Sequence, residues 1–162
     1  SFQKIIKKLK EEKLNLELEL QEKLLEWDKE TLELVSSIKG IGKRAAAELL
    51  IYTQGFKDMN SYKQLISYAG LSPTEYRSGS SIRGRVRICK QGGKQLRHIL
   101  YMCALNAKKT NAQCRALFER LVEKGKNKKA AVIAVCNKLL KIVFGVVKNR
   151  EFYDENFIQK TT

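Results

Sequence analysis

Apolar residues recur with helical spacing along most of this chain, in stretches separated by glycine, serine and asparagine. Residues 2 to 35 hold no glycine or proline and consist largely of strong helix formers. The alternating leucines between residues 14 and 20 would also suit a strand, but the length of the stretch and its charged flanks favour a helix. We therefore predict one long helix at the N-terminal end.

This predicted helix carries two apolar seams, so it needs a partner on at least one face. We interpret it as a coiled coil that dimerises, with a helix of an antiparallel bundle as the alternative. One seam comprises Ile6, Leu9, Leu16, Leu20, Leu24, Trp27, Leu34 and Ile38, and the other comprises Leu18, Leu25 and Leu32.

Short polar residues mark the starts of further helices. Asn60 or Ser61, Asn111 and Asn127 are predicted N-caps, because their side chains can accept hydrogen bonds from the first turn of a helix. Gly92 and Gly93 precede another helix. The predicted buried stripe of that helix is Leu96, Ile99, Leu100, Cys103, Ala104 and Ala107, and that of the last helix is Ala130, Ile133, Ala134, Leu139, Ile142, Val143 and Val146.

These elements predict a mainly α protein, in which a long N-terminal coiled-coil helix is followed by a compact basic helical domain containing a helix-hairpin-helix-like motif. We place the coiled-coil helix at residues 1–35, the basic domain at 36–154 with the motif at 36–53, and a tail at 155–162. Pro73 opens a predicted loop before Gly92. Because the chain begins without methionine and within a helical pattern, we expect it to be a fragment.

The net charge of +15 is concentrated outside the first helix. Residues 1 to 35 hold seven basic and nine acidic residues, whereas the remainder holds 25 basic and eight acidic ones. Between Tyr76 and Phe118 there are ten lysines and arginines and no carboxylate. Such a density favours a polyanion, because each neutralised phosphate releases counterions. Nucleic acid is the predicted partner class, and a merely solvated basic surface is the alternative.

The four cysteines are scattered without a paired spacing, and His98 is the sole histidine, so a zinc site or a disulfide framework is not expected. Cys103, Cys114 and Cys136 fall within helical apolar patterns, so we predict that they are core residues. We expect their thiols to stay reduced, as in the cytosol. The apolar stretch from 130 to 147 is interrupted by Asn137, Lys138 and Lys141, which argues against a membrane span. We expect no membrane partner and a cytoplasmic location.

Two catalytic classes lack the residues that they need. A two-metal nuclease requires clustered carboxylates, whereas the acids between residues 36 and 150 are dispersed. A serine hydrolase requires a nucleophile elbow, and no Gly-x-Ser-x-Gly sequence occurs. We therefore expect neither a metal site nor any other cofactor within this chain.

Three serines, Ser78, Ser80 and Ser81, lie in the most basic stretch. A serine hydroxyl becomes a useful nucleophile when a base or a strongly positive field stabilises the negative charge that develops on an attacked phosphodiester. The arginines that could supply this field, by bidentate contact with phosphate, are Arg77, Arg83, Arg85 and Arg87. From the residues alone, a serine-glycine turn remains the alternative.

A second candidate contact is the stretch "SSIKGIGKRAAAELLIY" at residues 36–52. Gly40 and Gly42 permit a close approach of backbone N–H groups to a phosphate at the start of a helix, as in a helix-hairpin-helix motif. The small alanines that follow allow the two helices to pack tightly. A helix C-cap followed by a new helix is the alternative.

Three stretches, "SIKGIGKRAAAELL", "LISYAGLSPTEYRSGSSIRGRVRICKQGGKQLRHILYMCALNA" and "LFERLVEKGKNKKAAVIAVCNKLL", resemble the C-terminal transposase domain of the DEDD-type insertion-sequence transposases. That group includes DNA invertases of the Piv type and the bridge-RNA-guided recombinases. The resemblance covers residues 34 to 154, and the preceding helix is similar to the coiled coil that joins this domain to an N-terminal RuvC-like nuclease domain.

The resemblance implies that Ser78, in the Ser-Gly pair after "YAGL", attacks a DNA strand and forms a phosphoserine intermediate. Ser80 and Ser81 are the alternative candidates for the nucleophile. It also implies that Mg²⁺ and its acidic ligands belong to the RuvC-like domain, outside this chain, so that this fragment binds and assembles but does not cut. The resulting candidate DNA-binding residues are Gly40, Gly42, Lys43, Arg77, Arg83, Arg85, Arg87, Lys90, Lys94 and Arg97.

Partners implied by the resemblance are DNA, a guide RNA as in the RNA-guided members, and further copies of the chain through its N-terminal helix, in a nucleoid-associated bacterial protein. Two positions depart from the family pattern: Cys89 replaces a usual serine, and Gly93 replaces a usual asparagine or aspartate. A non-catalytic module that binds DNA or RNA is the main functional alternative, and a helical scaffold for oligomerisation is another.

Overall fold

The computed structural model describes residues 1–74, 77–78, 82–83 and 87–156. In this part of the chain, six helices surround one apolar core, so the predicted mainly α class is confirmed. The helices are α1 (Phe2–Ser36), α2 (Lys43–Thr53), α3 (Tyr62–Tyr68), α4 (Lys94–Thr110), α5 (Ala112–Glu123) and α6 (Lys128–Asn149). The strands are β1 (Pro73–Thr74), β2 (Arg77–Ser78), β3 (Ile82–Arg83) and β4 (Arg87–Ile88).

Helices α4, α5 and α6 form the centre of the fold, where each packs against the other two, and short connections at Asn111 and at residues 124–127 join them in sequence. The predicted buried stripe of α4 is confirmed at all six positions. On α6 the prediction is partly wrong: Leu139, Val143 and Val146 are buried, but Ala130 is exposed. The reason is that the buried face also includes Val132, Val135, Cys136 and Leu140, which shift it around the helix.

Side-chain caps start three of these helices where the sequence predicts them. Ser61 Oγ accepts a hydrogen bond from Gln64 N at 3.2 Å, and it is Ser61 rather than Asn60 that caps α3. Asn127 Oδ1 accepts from Lys129 N at 2.8 Å. Asn111 caps α5 in the same way and is fully buried, and its amide nitrogen donates to Tyr153 Oη at 2.9 Å. Because this nitrogen has a partner, burial of Asn111 carries little desolvation cost.

Three cysteines belong to the core, as predicted. Burial raises the pKa of Cys103 and of Cys114 to about 11, and that of Cys136 to about 12. These thiols therefore stay protonated at neutral pH and act as small apolar side chains.

Helix α6 is long and apolar enough to cross a membrane by composition. Nevertheless, 44% of its most apolar window is buried inside this protein, because α6 packs against α3, α4 and α5. An apolar helix at the centre of a bundle is explained by these contacts.

Helix α1 is interrupted at Asp28, where φ is −158° and ψ is 70°. Asp28 Oδ1 accepts a hydrogen bond from Thr31 N at 3.1 Å, so Asp28 is the N-cap of the segment that follows. The prediction of one uninterrupted helix is wrong here. The sequence around Asp28 is rich in leucine and glutamate and favours a continuous helix. The helix nevertheless breaks at Asp28, because the segment before it packs against α2.

Two contacts define this fold-back. Glu17 Oε1 lies 3.0 Å from Arg44 Nη1 at the start of α2. The Trp27 ring lies against Gly55, just beyond the end of α2, 3.6 Å from where a Cβ would be. Residues 17–27 therefore run beside α2 in its direction, and residues 29–36 return in the opposite direction. Leu24 is buried by this arrangement, whereas the leucines between residues 9 and 20 remain exposed.

After α6 the chain crosses the helical bundle as a strap (residues 150–156). Tyr153 N donates to Ser37 Oγ at 3.0 Å, and Arg150 Nη1 lies 3.0 Å from Glu30 Oε2. Glu155 accepts hydrogen bonds from Ala112 N at 2.6 Å and from Lys39 Nζ at 2.5 Å. These two donors lower the pKa of Glu155, the backbone donor having the larger effect. The strap thus ties the α1–α2 turn to the start of α5.

The stretch after Pro73, predicted as a loop, contains two antiparallel strand pairs that are nested in sequence. Strand β1 pairs with β4 through Pro73↔Ile88 and Thr74↔Arg87, and β2 pairs with β3 through Arg77↔Arg83 and Ser78↔Ile82. The alternation of arginine with β-branched residues in "IRGRVRI" is the signal for strands that the loop interpretation missed.

Candidate nucleic-acid interface

The start of α4 carries most of the predicted phosphate ligands that the structure describes. Gly93 is its N-cap and supplies no side-chain hydrogen bond, in contrast to the caps of α3, α5 and α6. The first backbone N–H groups of a helix lack partners within the helix, and they favour an anion. Lys94, the first residue of α4, is exposed beside these groups.

Two glycines bring the end of α3 against the approach to α4. A Cβ on Gly92 would lie 2.1 Å from Tyr68 O and 2.5 Å from Gly70 N. Gly70 has φ +67°, and a Cβ there would lie 2.6 Å from Gly92 N. No larger residue fits either position without displacing backbone. The sequence interpretation did not recognise this contact, although "YAGL" and "KQGGK" contain both glycines.

Arg97 fixes the same junction from the side of α4. Its Nη1 donates to Gly92 O at 2.7 Å and to Ala69 O at 3.3 Å, and the side chain is half-buried. This arginine, predicted as a phosphate ligand, therefore also holds together the backbone that shapes the site. Its role toward DNA stays a prediction.

Lys90 and Arg87 lie on the segment that leads into α4. The backbone N–H of Lys90 donates to Gly70 O at 3.1 Å, and Lys90 adopts φ +56°, which is uncommon for a residue other than glycine. Cys89 N donates to Ser72 O at 2.9 Å and extends the β1–β4 pairing by one residue. Both Lys90 and Arg87 are exposed. The structure thus places these two cations within a few residues of the open start of α4.

Strands β2 and β3 contain the proposed nucleophile and two of the arginines. Ser78 is the last residue of β2 and pairs with Ile82, and Arg77 is paired with Arg83. Arg85, Ser80 and Ser81 lie outside the described residues. At this site the structure therefore gives the backbone placement of Ser78 and of the neighbouring pair formed by Arg77 and Arg83.

The α1–α2 turn contains the second predicted contact. Gly40 has φ +108°, and a Cβ there would lie 2.5 Å from Ala107 Cβ and 2.7 Å from Ala107 Cα on α4. Gly42 is the N-cap of α2, with no atom within 4 Å of where its Cβ would be. Lys43 is exposed at the first position of α2. Gly40 is thus required for packing, whereas Gly42 leaves the start of α2 accessible.

These two contact regions lie toward opposite ends of α4, because Gly40 touches Ala107 and the other region surrounds Lys94. Thirteen residues of helix separate these positions, which corresponds to about 20 Å. At 3.4 Å per phosphate of one strand, this distance spans about six base pairs of duplex.

Among the described residues, no group of three or more histidine, cysteine, aspartate or glutamate side chains could hold a metal ion. The residues present there do not fit the Mg²⁺ of the nuclease domain that the resemblance implies. No chemical step is therefore assigned to a metal on these residues.

Exposed cations that cluster on one part of the surface are the electrostatic footprint of proteins that bind nucleic acid. Within that class, a family model described as "Transposase IS116/IS110/IS902 family" matches residues 32–119, more than half of the chain. This chain belongs to that transposase family. The expected resemblance to insertion-sequence transposases is thereby confirmed.

Individual relatives agree with this assignment. The chain is 36% identical over 123 residues to the pilin gene-inverting protein of Moraxella lacunata, a match that covers 75% of this chain and 38% of the relative. It is 27% identical over 121 residues to an uncharacterized 43.6 kDa protein of insertion element IS110 from Streptomyces coelicolor, covering 75% and 30% respectively. The chain therefore corresponds to less than two fifths of these relatives.

Proposed function

We propose that this chain is the DNA-binding and nucleophile-bearing part of a transposase or site-specific recombinase, and that Ser78 attacks a DNA phosphodiester. The observation that carries this proposal is the position of Ser78 in β2, next to the cross-strand pair Arg77 and Arg83. Arginine is suited to bidentate contact with phosphate, so arginines at these two paired backbone positions would help to hold a phosphodiester near β2. The gene-inverting relative supports DNA rearrangement as the activity.

The proposed step exchanges one ester for another. The Ser78 oxygen forms a bond to phosphorus as the bond from phosphorus to one deoxyribose oxygen breaks. Ser78 gives up its hydroxyl proton, and the departing deoxyribose oxygen takes up one proton, so the exchange consumes no water. The phosphoserine ester keeps the phosphate activated, and attack by a deoxyribose hydroxyl on it rejoins DNA and releases Ser78.

Arginine and lysine side chains would lower the barrier by stabilising the additional negative charge on the attacked phosphate. Arg87, Lys90 and Lys94 are the exposed candidates, with Arg97 holding the backbone beneath them. We assign Mg²⁺ and its carboxylate ligands to a RuvC-like domain of the full-length protein, since the described residues form no such cluster. That domain would supply the metal chemistry of strand cleavage.

Assembly and partners complete the proposal. The exposed leucines on the N-terminal part of α1 would join copies of the chain, so that serine and metal-binding acids can come from different subunits. DNA is the expected substrate in a nucleoid-associated cytoplasmic protein, and a guide RNA is the expected partner in an RNA-guided member of the family. Contacts at Gly42 and Lys43 would constitute the helix-hairpin-helix phosphate site.

Trapping of a covalent adduct tests the nucleophile. The full-length protein that contains this chain is incubated with end-labelled substrate DNA, denatured, digested with protease and analysed by mass spectrometry. We expect a nucleotide on Ser78 and loss of strand transfer for Ser78→Ala, with DNA binding retained. Ser80→Ala and Ser81→Ala are matched controls, which should still form the adduct.

Three other results would overturn this assignment. An active protein with no adduct at Ser78, or an adduct at Ser80 or Ser81, would refute the role of Ser78. Full strand transfer by Ser78→Ala would favour a turn residue in a binding module without a catalytic serine. Absence of any salt-dependent DNA binding would instead favour the helical-scaffold function.

A further inference from the structure

The α5–α6 turn forms a second cationic surface, distant in sequence from the start of α4. All eight residues from 123 to 130 are exposed, and four of them are lysines: Lys124, Lys126, Lys128 and Lys129. The next carboxylate after Glu123 is Glu151, so a stretch of 27 residues contains none. Among the described residues, these four ammonium groups form no ion pair with a carboxylate.

The lysines of α1 show how a solvated charged surface differs. On α1, Lys7, Lys13, Lys23 and Lys29 each lie within 3.9 Å of a glutamate one helical turn away. Such alternation of charge makes a helix soluble without creating a strong potential. At the α5–α6 turn the charges are of one sign and sum to a positive field, which attracts a polyanion.

The position of this turn relates it to the start of α4. Helices α4 and α6 run in the same direction: Cys136 Sγ donates to Leu100 O at 3.6 Å, and nearer the C-terminal ends Asn111 Nδ2, just after α4, donates to Tyr153 Oη, just after α6, at 2.9 Å. Lys94 precedes Leu100 by six residues and Lys128 precedes Cys136 by eight, which corresponds to about 9 Å and about 12 Å of helix. The starts of α4 and α6 therefore lie at nearly the same level, at one end of the helical bundle.

We propose that the lysine turn (Lys124, Lys126, Lys128 and Lys129) binds the phosphate backbone of duplex DNA, as a continuation of the surface around Lys90 and Lys94. Packed helices are about 8–10 Å apart between axes, so one duplex can contact both helix starts. The choice of DNA as the polyanion rests on the proposed function. This contact should not depend on the DNA sequence, because a lysine ammonium on its flexible side chain interacts with the phosphate as a point charge and does not contact the bases.

Binding to duplex DNA of about 20–30 base pairs, measured by fluorescence anisotropy from about 50 to about 200 mM salt, tests this surface. The test variant carries Lys→Ala at 124, 126, 128 and 129. The matched control carries Lys→Ala at 4, 7, 8 and 10, which removes the same charge from α1. Circular dichroism melting curves confirm that both variants fold.

We expect the lysine-turn variant to bind about 10- to 100-fold more weakly at low salt, and its plot of log affinity against log salt to be less steep by about 2 to 4, since each released phosphate contact contributes about 0.9. The control should change little. Equal effects of the two variants would refute this inference while leaving the proposed function intact.

A lysine-turn variant that loses affinity for duplex RNA of the same sequence, but none for DNA, would refute the choice of DNA. If the unsubstituted chain binds neither duplex, both this inference and the proposed function fail. A variant that melts much earlier than the control would be replaced by Lys124→Gln with Lys126→Gln, which leaves the first turn of α6 unchanged. That pair should reduce the salt dependence by about 1 to 2.

Discussion

Individual glycines in this protein have different physical roles despite equal conformational freedom. Gly40 combines φ +108° with a contact that a Cβ would shorten to 2.5 Å against Ala107, whereas the position of a Cβ on Gly42 is open. The two glycines of "GIG" therefore have different roles: Gly40 allows close packing against α4, and Gly42 leaves the start of α2 accessible.

Gly40→Ala should destabilise the fold by about 2–4 kcal/mol, because a strained backbone angle and a steric clash are combined at one residue. Gly42→Ala, the matched control, should change stability by less than about 1 kcal/mol. Thermal and urea unfolding of the two variants measure this difference. Equal unfolding free energies would contradict the predicted contact with Ala107.

Arg97 shows that a predicted ligand can be a structural residue as well. Arg97→Ala removes the two hydrogen bonds to Ala69 O and Gly92 O, so the free energy of unfolding should fall by about 1–3 kcal/mol. Lys94→Ala removes an exposed charge three residues earlier and should leave stability within about 0.5 kcal/mol, while it weakens DNA binding. Chemical denaturation together with DNA titration separates the two effects. Unchanged stability of Arg97→Ala would show that the role of Arg97 is confined to binding.

At the scale of an element, the break in α1 depends on a single cap. Asp28 is the residue whose side chain satisfies the N–H of Thr31, and the chain folds back at this position. Because leucine and glutamate on both sides favour continued helix, the cap and the contacts of Trp27 with Gly55 together decide where the helix ends.

Asp28→Ala should therefore lower stability by about 0.5–2 kcal/mol through loss of the N-cap. Asp28→Asn keeps an acceptor oxygen and should retain most of the stability, which makes it the appropriate control. Urea unfolding compares the three proteins. If the alanine variant were as stable as the asparagine variant, the hydrogen bond to Thr31 would have no part in maintaining the break.

At the scale of the whole molecule, Glu155 connects regions that are distant in sequence. Its folded-state pKa is lowered by the N–H of Ala112 and by Lys39, so its charged form is favoured in the folded protein. A group with a lowered folded pKa stabilises the protein above its unfolded pKa, and this contribution is lost as pH falls through the folded pKa.

Glu155→Gln should consequently reduce the unfolding midpoint at neutral pH, and the difference from the unsubstituted chain should disappear below the folded-state pKa of Glu155. Midpoints measured from neutral pH to about pH 3 test this dependence. Glu151→Gln, on the same strap, is the control. A difference that stays constant across that range would exclude titration of Glu155 as its cause.

The exposed apolar surface of α1 is a property of the whole molecule too. Phe2, Ile5, Leu9 and Leu16 are each more than half exposed. Contiguous exposed apolar surface of this kind marks an interaction site. We expect sedimentation equilibrium to show an oligomer, and Leu9→Lys with Leu16→Lys to shift it toward monomer. Lys8→Ala with Lys10→Ala serves as the control on the same helix. Persistence of the oligomer in the leucine variant would place the interface elsewhere.

The sequence by itself determined those features that arise from interactions between near neighbours. Helical periodicity, the caps at Ser61, Asn111 and Asn127, and the buried stripe of α4 follow from contacts within one or two turns, so they could be predicted. The family pattern likewise indicates the transposase family, and the uneven charge indicates a nucleic-acid partner.

Only the tertiary structure decided the features that depend on residues far apart in the chain. Whether Gly40 packs or binds depends on Ala107, and the function of Arg97 depends on the carbonyls of Ala69 and Gly92. The fold-back at Asp28 depends on α2, and the common level of the α4 and α6 starts depends on helix packing. Local propensity carries no information on such distant partners, because contacts between residues far apart in sequence form only when the chain folds.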